Sequence, residues 1–232
     1  MNDSVVVLLG HGSRDPAGAM EFLAVASAVQ TALPTLRVEA GVLEFAGPVA
    51  RSIPDAIARS VAAGARHVLA LPVLLHFGGH ATADMPDQIA SARARHLGAE
   101  IRLAQPLSGH PGLLDIVHDR CVAARPIEPG TTVLLVGRGS TSPRANADLY
   151  ATARLFQERG PFDDVEVCFV SLTPPCVSAG LRRCVALGAR RVLVMPYFVN
   201  TGRLVRRIRA QAMAAAGFYP RVQVAVVGRA HV

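Results

Sequence analysis

A chain of 232 residues and 24.4 kDa has room for one large domain or for two of about 100 to 125 residues, and either can bury a core. With 51% hydrophobic residues, a mean hydropathy of +0.33, and 20 Gly and 16 Pro in no short repeat, it is neither disordered nor collagen-like nor a coiled coil. The charge is +7, carried by 24 Arg without a single Lys against 17 acids.

The first predicted strand is SVVVLL at 4–9, and it runs into GHGSR at 10–14. Phe22, Val25, Ala26, Val29 and Leu33 then recur at helical spacing and form one apolar face. Further strands are expected at 37–43, 67–72, 100–104, 131–136, 165–171, 191–196 and 222–227. Helices are expected near 48–63, 84–97, 110–124, 144–159, 176–187 and 203–216. Strand alternating with helix implies parallel sheets covered on both faces, with right-handed crossovers.

The second half repeats the first. Residues 10–30 (GHGSRDPAGAMEFLAVASAVQ) align with 137–157 (GRGSTSPRANADLYATARLFQ) at an offset of 127. AAGARHVLALP at 62–72 aligns with ALGARRVLVMP at 186–196 at an offset of 124. The expected fold is α/β: two similar four-stranded parallel-sheet domains with flavodoxin-like layers, at 1–125 and 126–232, joined near Pro126 and Pro129. Charge divides unequally between them. The first has 10 Arg and 11 acids, net −1, and the second 14 Arg and 6 acids, net +8. Arg-rich surfaces suit carboxylates or phosphates, so an anionic partner is expected.

In open parallel sheets, sites form beyond the carboxyl ends of strands. Loops there carry His11, Glu44, and His76 with His80. The repeat acts as an internal control, because Gly10, Gly12 and Ser13 return as Gly137, Gly139 and Ser140. By contrast His11 becomes Arg138, Glu44 becomes Ser171, His76 becomes Asn200 and His80 becomes Leu204. Packing therefore does not demand the histidines or the glutamate. Taken alone, His11 reads as a turn histidine bonded to backbone. With a second imidazole and a carboxylate at the same sheet edge, the set suits Fe²⁺, Co²⁺, Ni²⁺ or Zn²⁺ with positions left open. The other histidines, His67, His96, His110, His118 and His231, read as surface or structural residues.

Cys121, Cys168, Cys176 and Cys184 form no CxxC pair and read as free thiols. The start MNDS lacks the basic region of a signal peptide, no apolar run approaches the roughly 18 to 20 residues of a membrane span, and a cytoplasmic protein is expected. Neither GxxxxGK[ST] nor GxGxxG occurs, which counts against a nucleotide-binding pair of domains. No nucleic-acid-binding motif accompanies the basic half, so no nucleic-acid partner is expected.

GHGSR at 10–14, LE at 43–44, GARHVLALP at 64–72, GGHATADMP at 78–86, GRGSTSP at 137–143 and MPYFVNTGRL at 195–204 together span nearly the whole chain. In these stretches the chain resembles the sirohydrochlorin chelatases, the class II chelatases of sirohaem and cobalamin synthesis. The resemblance implies two similar domains facing each other across a cleft, with the internal repeat acting as a pseudo-dimer within a monomer. It implies insertion of Co²⁺ or Fe²⁺ into an anionic tetrapyrrole, with His11, Glu44 and His80 as metal ligands and catalytic groups. His76 stays a competitor for the ligand role. The preference for His80 rests partly on the resemblance and partly on its nearness to the helix that Asp84 is expected to cap. Arg138 and Arg203, and less strongly Arg206 and Arg207, would pair with the carboxylate fringe. Some longer relatives carry a His-rich tail or a cysteine-bound cluster, and neither pattern occurs here, so no iron–sulfur cluster is expected. The alternative to an enzyme is a carrier of metal or tetrapyrrole that does not turn over.

Overall fold

A computed structural model describes residues 3–75 and 83–228. Its strands and helices alternate throughout. They are β1 (Ser4–Gly10), α1 (Pro16–Ala32), β2 (Arg37–Val42), α2 (Ile53–Ala62), β3 (His67–Pro72), α3 (Met85–Arg95), β4 (Glu100–Leu103) and α4 (Pro111–Ala124). The repeat follows as β5 (Thr131–Gly137), α5 (Pro143–Arg159), β6 (Asp164–Phe169), α6 (Val177–Ala186), β7 (Arg191–Pro196), α7 (Arg203–Ala216) and β8 (Gln223–Val226). Two four-stranded sheets result, ordered β2-β1-β3-β4 and β6-β5-β7-β8, and every pairing is parallel. Register repeats with the sequence, since Val5 pairs with Arg37 and Val68 while Thr132 pairs with Asp164 and Val192.

Helix starts follow local chemistry. Asp15 accepts the Ala17 N–H at 3.0 Å ahead of Pro16, so α1 begins with an acidic cap and a proline whose missing N–H is not needed. Ser52 accepts the Asp55 N–H at 3.2 Å and donates its hydroxyl to the Asp55 carboxylate at 2.6 Å. That reciprocal cap starts α2 at Ile53, whereas the sequence reading began the helix near 48. The intervening residues close a turn, with the Gly47 N–H on the Ala50 carbonyl at 2.9 Å. Two other expectations change. Leu33 has the right spacing for the apolar face of α1, yet it is the C-cap and is 48% exposed. Asp84 precedes α3, but its backbone is already helical (φ −63°, ψ −43°) and its side chain makes no capping bond.

The chain parts into two compact units, Met1–Leu107 and Ser108–Val232. In unit 1, Val5, Val7 and Leu9 point to one side of the sheet and pack with Ile53 and Ile57 of α2 and with Met85 and Ile89 of α3. On the other side Leu8 and Val42 pack with Phe22 and Ala26 of α1. Burying each such large side chain stabilises the unit by roughly 1.5–3 kcal/mol. Unit 2 repeats the first arrangement, with Leu134, Val136 and Val194 against Leu181 of α6 and Ile208 of α7.

The seam expected at 125/126 differs from the parting at Leu107 and Ser108. Helix α4 follows β4 of unit 1 in sequence but belongs to unit 2 in space. Ser108 Oγ donates to Asp148 of α5 at 2.8 Å, Arg159 of α5 donates to Asp115 of α4 at 2.8 Å, and α4 packs onto β7. Its buried stripe is Leu114, Val117 and Cys121. The consequence appears in one pair of matched residues: Leu193 on β7 is 3% exposed, while its counterpart Leu69 on β3 is 40% exposed. Among the described residues no helix is long and apolar enough to cross a membrane.

Candidate functional site

In unit 1 the strand order reverses at β1, which lies between β2 and β3. The ends of these three strands are tied by main-chain bonds that continue the sheet past its last residues. The Leu43 N–H reaches the Gly10 carbonyl at 3.0 Å, the Glu44 N–H reaches the His11 carbonyl at 2.9 Å, and the Val73 N–H reaches the Leu9 carbonyl at 2.8 Å. His11 and Glu44 are thereby held side by side, both half-buried. Gly12 makes this possible. Its φ is +94°, and a Cβ there would lie 1.9 Å from the Glu44 carbonyl oxygen. Only glycine fits that turn. His76 and His80, the remaining two histidines of the sequence reading, lie outside the described residues.

Unit 2 builds the same clamp with different side chains. The Val170 N–H bonds the Gly137 carbonyl at 2.9 Å and the Ser171 N–H bonds the Arg138 carbonyl at 3.1 Å. Gly139 has φ +86°, and its absent Cβ would sit 2.1 Å from the Ser171 carbonyl oxygen. Where unit 1 offers an imidazole and a carboxylate, unit 2 offers an exposed guanidinium and a hydroxyl. Ser171 Oγ turns back to its neighbour, donating to the Arg138 carbonyl at 3.3 Å. Arg203 opens α7 directly after Gly202 and is exposed, as are Arg206 and Arg207.

The chain leaves both clamps in the left-handed region. Phe45 follows Glu44 with φ +55°, and Leu172 follows Ser171 with φ +65°. Left-handed backbone costs an L-residue roughly 1–2 kcal/mol, which glycine avoids. Both positions nevertheless hold large apolar side chains that stay in solvent, Phe45 at 43% and Leu172 at 60% exposure. The Arg14 guanidinium lies over the Phe45 ring, 4.9 Å from its centroid. Arg14 lies within the GHGSR motif, which gives it no role of its own in sequence, and nothing in the sequence singles out Phe45. An isolated phenylalanine after a strand carries no sequence signal. The clue available was its alignment with Leu172, a second large apolar residue where a turn former is expected.

Elsewhere the chemistry is muted. Three cysteines are buried, and burial pushes the Cys121 and Cys184 thiols up to about 12 and raises that of Cys168 as well. Cys176 differs: exposed at the start of α6, its thiol is lowered by a hydrogen bond with the Ser178 hydroxyl and by nearby N–H groups. A cavity of about 400 Å³ in unit 2 is lined by Leu114, Asp115 and His118 of α4 and by Phe156 and Arg159 of α5, on the helical layer and not at the strand ends. Among the described residues no group of three His, Cys, Asp or Glu could hold a metal ion.

The family model for CbiX matches residues 5–124 and again 132–229, so each half is one copy of the same module. The chain belongs to the CbiX family. Among curated relatives of this CbiX protein, a sirohydrochlorin cobaltochelatase of Priestia megaterium is 32% identical over 97% of this chain and 78% of its own length. A sirohydrochlorin ferrochelatase of the same organism is 28% identical over 89% of this chain and 77% of its own. Among solved structures, SirB from Bacillus subtilis with Fe³⁺ superposes with a TM-score of 0.83 at 24% identity, covering 97% of this chain and 88% of that one. That likeness confirms the α/β fold of two four-stranded parallel sheets read from the sequence.

Proposed function

We propose that this CbiX protein is a sirohydrochlorin chelatase, a lyase that inserts Co²⁺ or Fe²⁺ into the tetrapyrrole in cobalamin or sirohaem synthesis. The observation that carries this reading is one backbone clamp dressed in two ways. The fold needs only the glycines, yet unit 1 adds His11 and Glu44, which are a nitrogen and an oxygen ligand suited to borderline divalent ions. The relatives bearing cobaltochelatase and ferrochelatase names support the same chemistry for either metal.

In this reading the metal is a substrate. His11, Glu44 and His80 take it from water and keep coordination positions open for the pyrrole nitrogens. Insertion also releases two pyrrole protons, and a neutral imidazole among these ligands is the suitable acceptor. Arg138 and Arg203 pair with the acetate and propionate fringe of the substrate, since guanidinium forks match carboxylates. The internal repeat gives one chain two modules, so the enzyme works as a monomer with an internal pseudo-dimer. Four free cysteines fit a reducing cytoplasmic compartment.

The test is sirohydrochlorin absorbance under anaerobic conditions with substoichiometric protein and either metal. Multiple turnovers are expected with both, and a single stoichiometric burst would make the protein a carrier instead. His11→Ala and Glu44→Gln should each lower the insertion rate about 100-fold, within the range for loss of an acid–base or ligand group. Far-UV circular dichroism should be unchanged, because unit 2 makes the same clamp without either side chain.

A further inference from the structure

Resting on the chelatase reading, we propose that Phe45 and Arg14 form the platform in unit 1 that receives the tetrapyrrole, with the ring of Phe45 against the macrocycle plane and the Arg14 guanidinium on a peripheral carboxylate. The argument begins from an unfavourable local choice. Phe45 occupies left-handed backbone at φ +55°, where glycine or asparagine is the usual residue, and the residue is 43% exposed. An aromatic residue there is unfavourable on both counts, since the backbone is strained and the apolar surface is wet. The left-handed turn recurs at Leu172 and so belongs to the clamp, but nothing in the clamp calls for an aromatic ring at position 45.

Position supplies the explanation. Phe45 directly follows Glu44 in the strand-end loop that carries the proposed metal ligand. Val49, on the same loop, is also 43% exposed. Arg14 is exposed and lies 4.9 Å from the centre of the Phe45 ring. A phenyl ring with a guanidinium over one face offers apolar and cationic surface side by side, which suits a flat conjugated ring bordered by carboxylates. The unit 2 counterparts are Leu172 and Thr141, so unit 2 keeps an exposed apolar residue at positive φ but has neither the aromatic ring nor the cation.

The experiment measures binding of metal-free sirohydrochlorin by fluorescence quenching, in parallel with Co²⁺ binding by calorimetry and thermal unfolding. Phe45→Gly should weaken tetrapyrrole binding about tenfold, the size expected for loss of one stacked ring. It should leave Co²⁺ affinity unchanged and Tm equal or higher, because glycine relieves the backbone. Phe45→Tyr should restore binding, and Arg14→Gln should weaken it while reducing its dependence on salt. Equal binding by wild type and Phe45→Gly overturns the platform and leaves the chelatase reading standing. A lowered Tm in Phe45→Gly with restoration by any large apolar residue, methionine included, also overturns it, because the ring is then packing and not recognition. No sirohydrochlorin binding by the wild type would remove the chelatase reading itself, and the platform with it.

Discussion

Gly12 and Gly139 show how much information one absent Cβ can hold. Each sits at positive φ with a carbonyl oxygen 1.9 or 2.1 Å from where a Cβ would be, so alanine forces the two strand-end loops apart in either unit. Gly12→Ala and Gly139→Ala should each destabilise the protein by about 2 kcal/mol or more, as alanine does where φ is positive and space is lacking. The pair separates structure from function: only Gly12→Ala displaces Glu44 from His11, so only it should lose Co²⁺ affinity in calorimetry. The cysteines give a second residue-scale prediction. With Cys176 lowered from 9.0 and the other three raised, the native protein should consume one equivalent of thiol reagent quickly and four only after unfolding. A lowered thiol ionises at lower pH, so the fast phase should reach half its maximal rate below pH 9.0.

At the scale of elements, Ser52 is a clean case. Its hydroxyl both accepts from and donates to Asp55, and Ser52→Ala should cost about 1 kcal/mol in urea unfolding without altering metal binding. The eight strands were legible because β-branched residues cluster in runs such as SVVVLL and RVLVMP, and the repeat doubled each signal. Element ends were less so. The spacing that includes Leu33 is correct for a helix, but periodicity does not mark where main-chain bonding stops, and Pro48 near a helical pattern does not reveal that Ser52 caps four residues later. The candidate site was unevenly legible. His11 and Glu44 stand out because the second half folds without them, whereas Phe45 depends on a backbone angle that no composition or spacing encodes. The spatial parting at Leu107 and Ser108 was not legible for a similar reason, since a sequence tells which strand a helix follows and not which sheet it covers; the two matched modules, 5–124 and 132–229, still meet where the repeat puts the seam.

Taken as a whole, the molecule divides its charge between net −1 in residues 1–125 and net +8 in residues 126–232. If the basic half attracts the carboxylate fringe, the attraction is screened over about 8 Å at physiological ionic strength. Neutralising Arg138 and Arg203 together should raise the tetrapyrrole KM several-fold, flatten its salt dependence and leave Co²⁺ affinity unchanged. A loss of metal binding with an unchanged KM would reverse the assignment of roles. Boundaries matter equally. A fragment of residues 108–232 should unfold cooperatively, while 126–232 should be less stable by roughly several kcal/mol because β7 and the buried stripe of α4 lose each other.

Helix α4 also orders events on the ribosome. Unit 1 is complete when Leu107 has emerged, and its sheet can close at once. The next segment, Pro111–Ala124, has its apolar stripe ready but must wait for β7, which begins at Arg191. At typical synthesis rates that interval is on the order of ten seconds. During it a nascent chain with one finished domain trails a sticky helix, and a neighbouring nascent chain on the same message carries an identical one. Closely spaced ribosomes would therefore bring identical uncovered stripes together before either has its own sheet to cover.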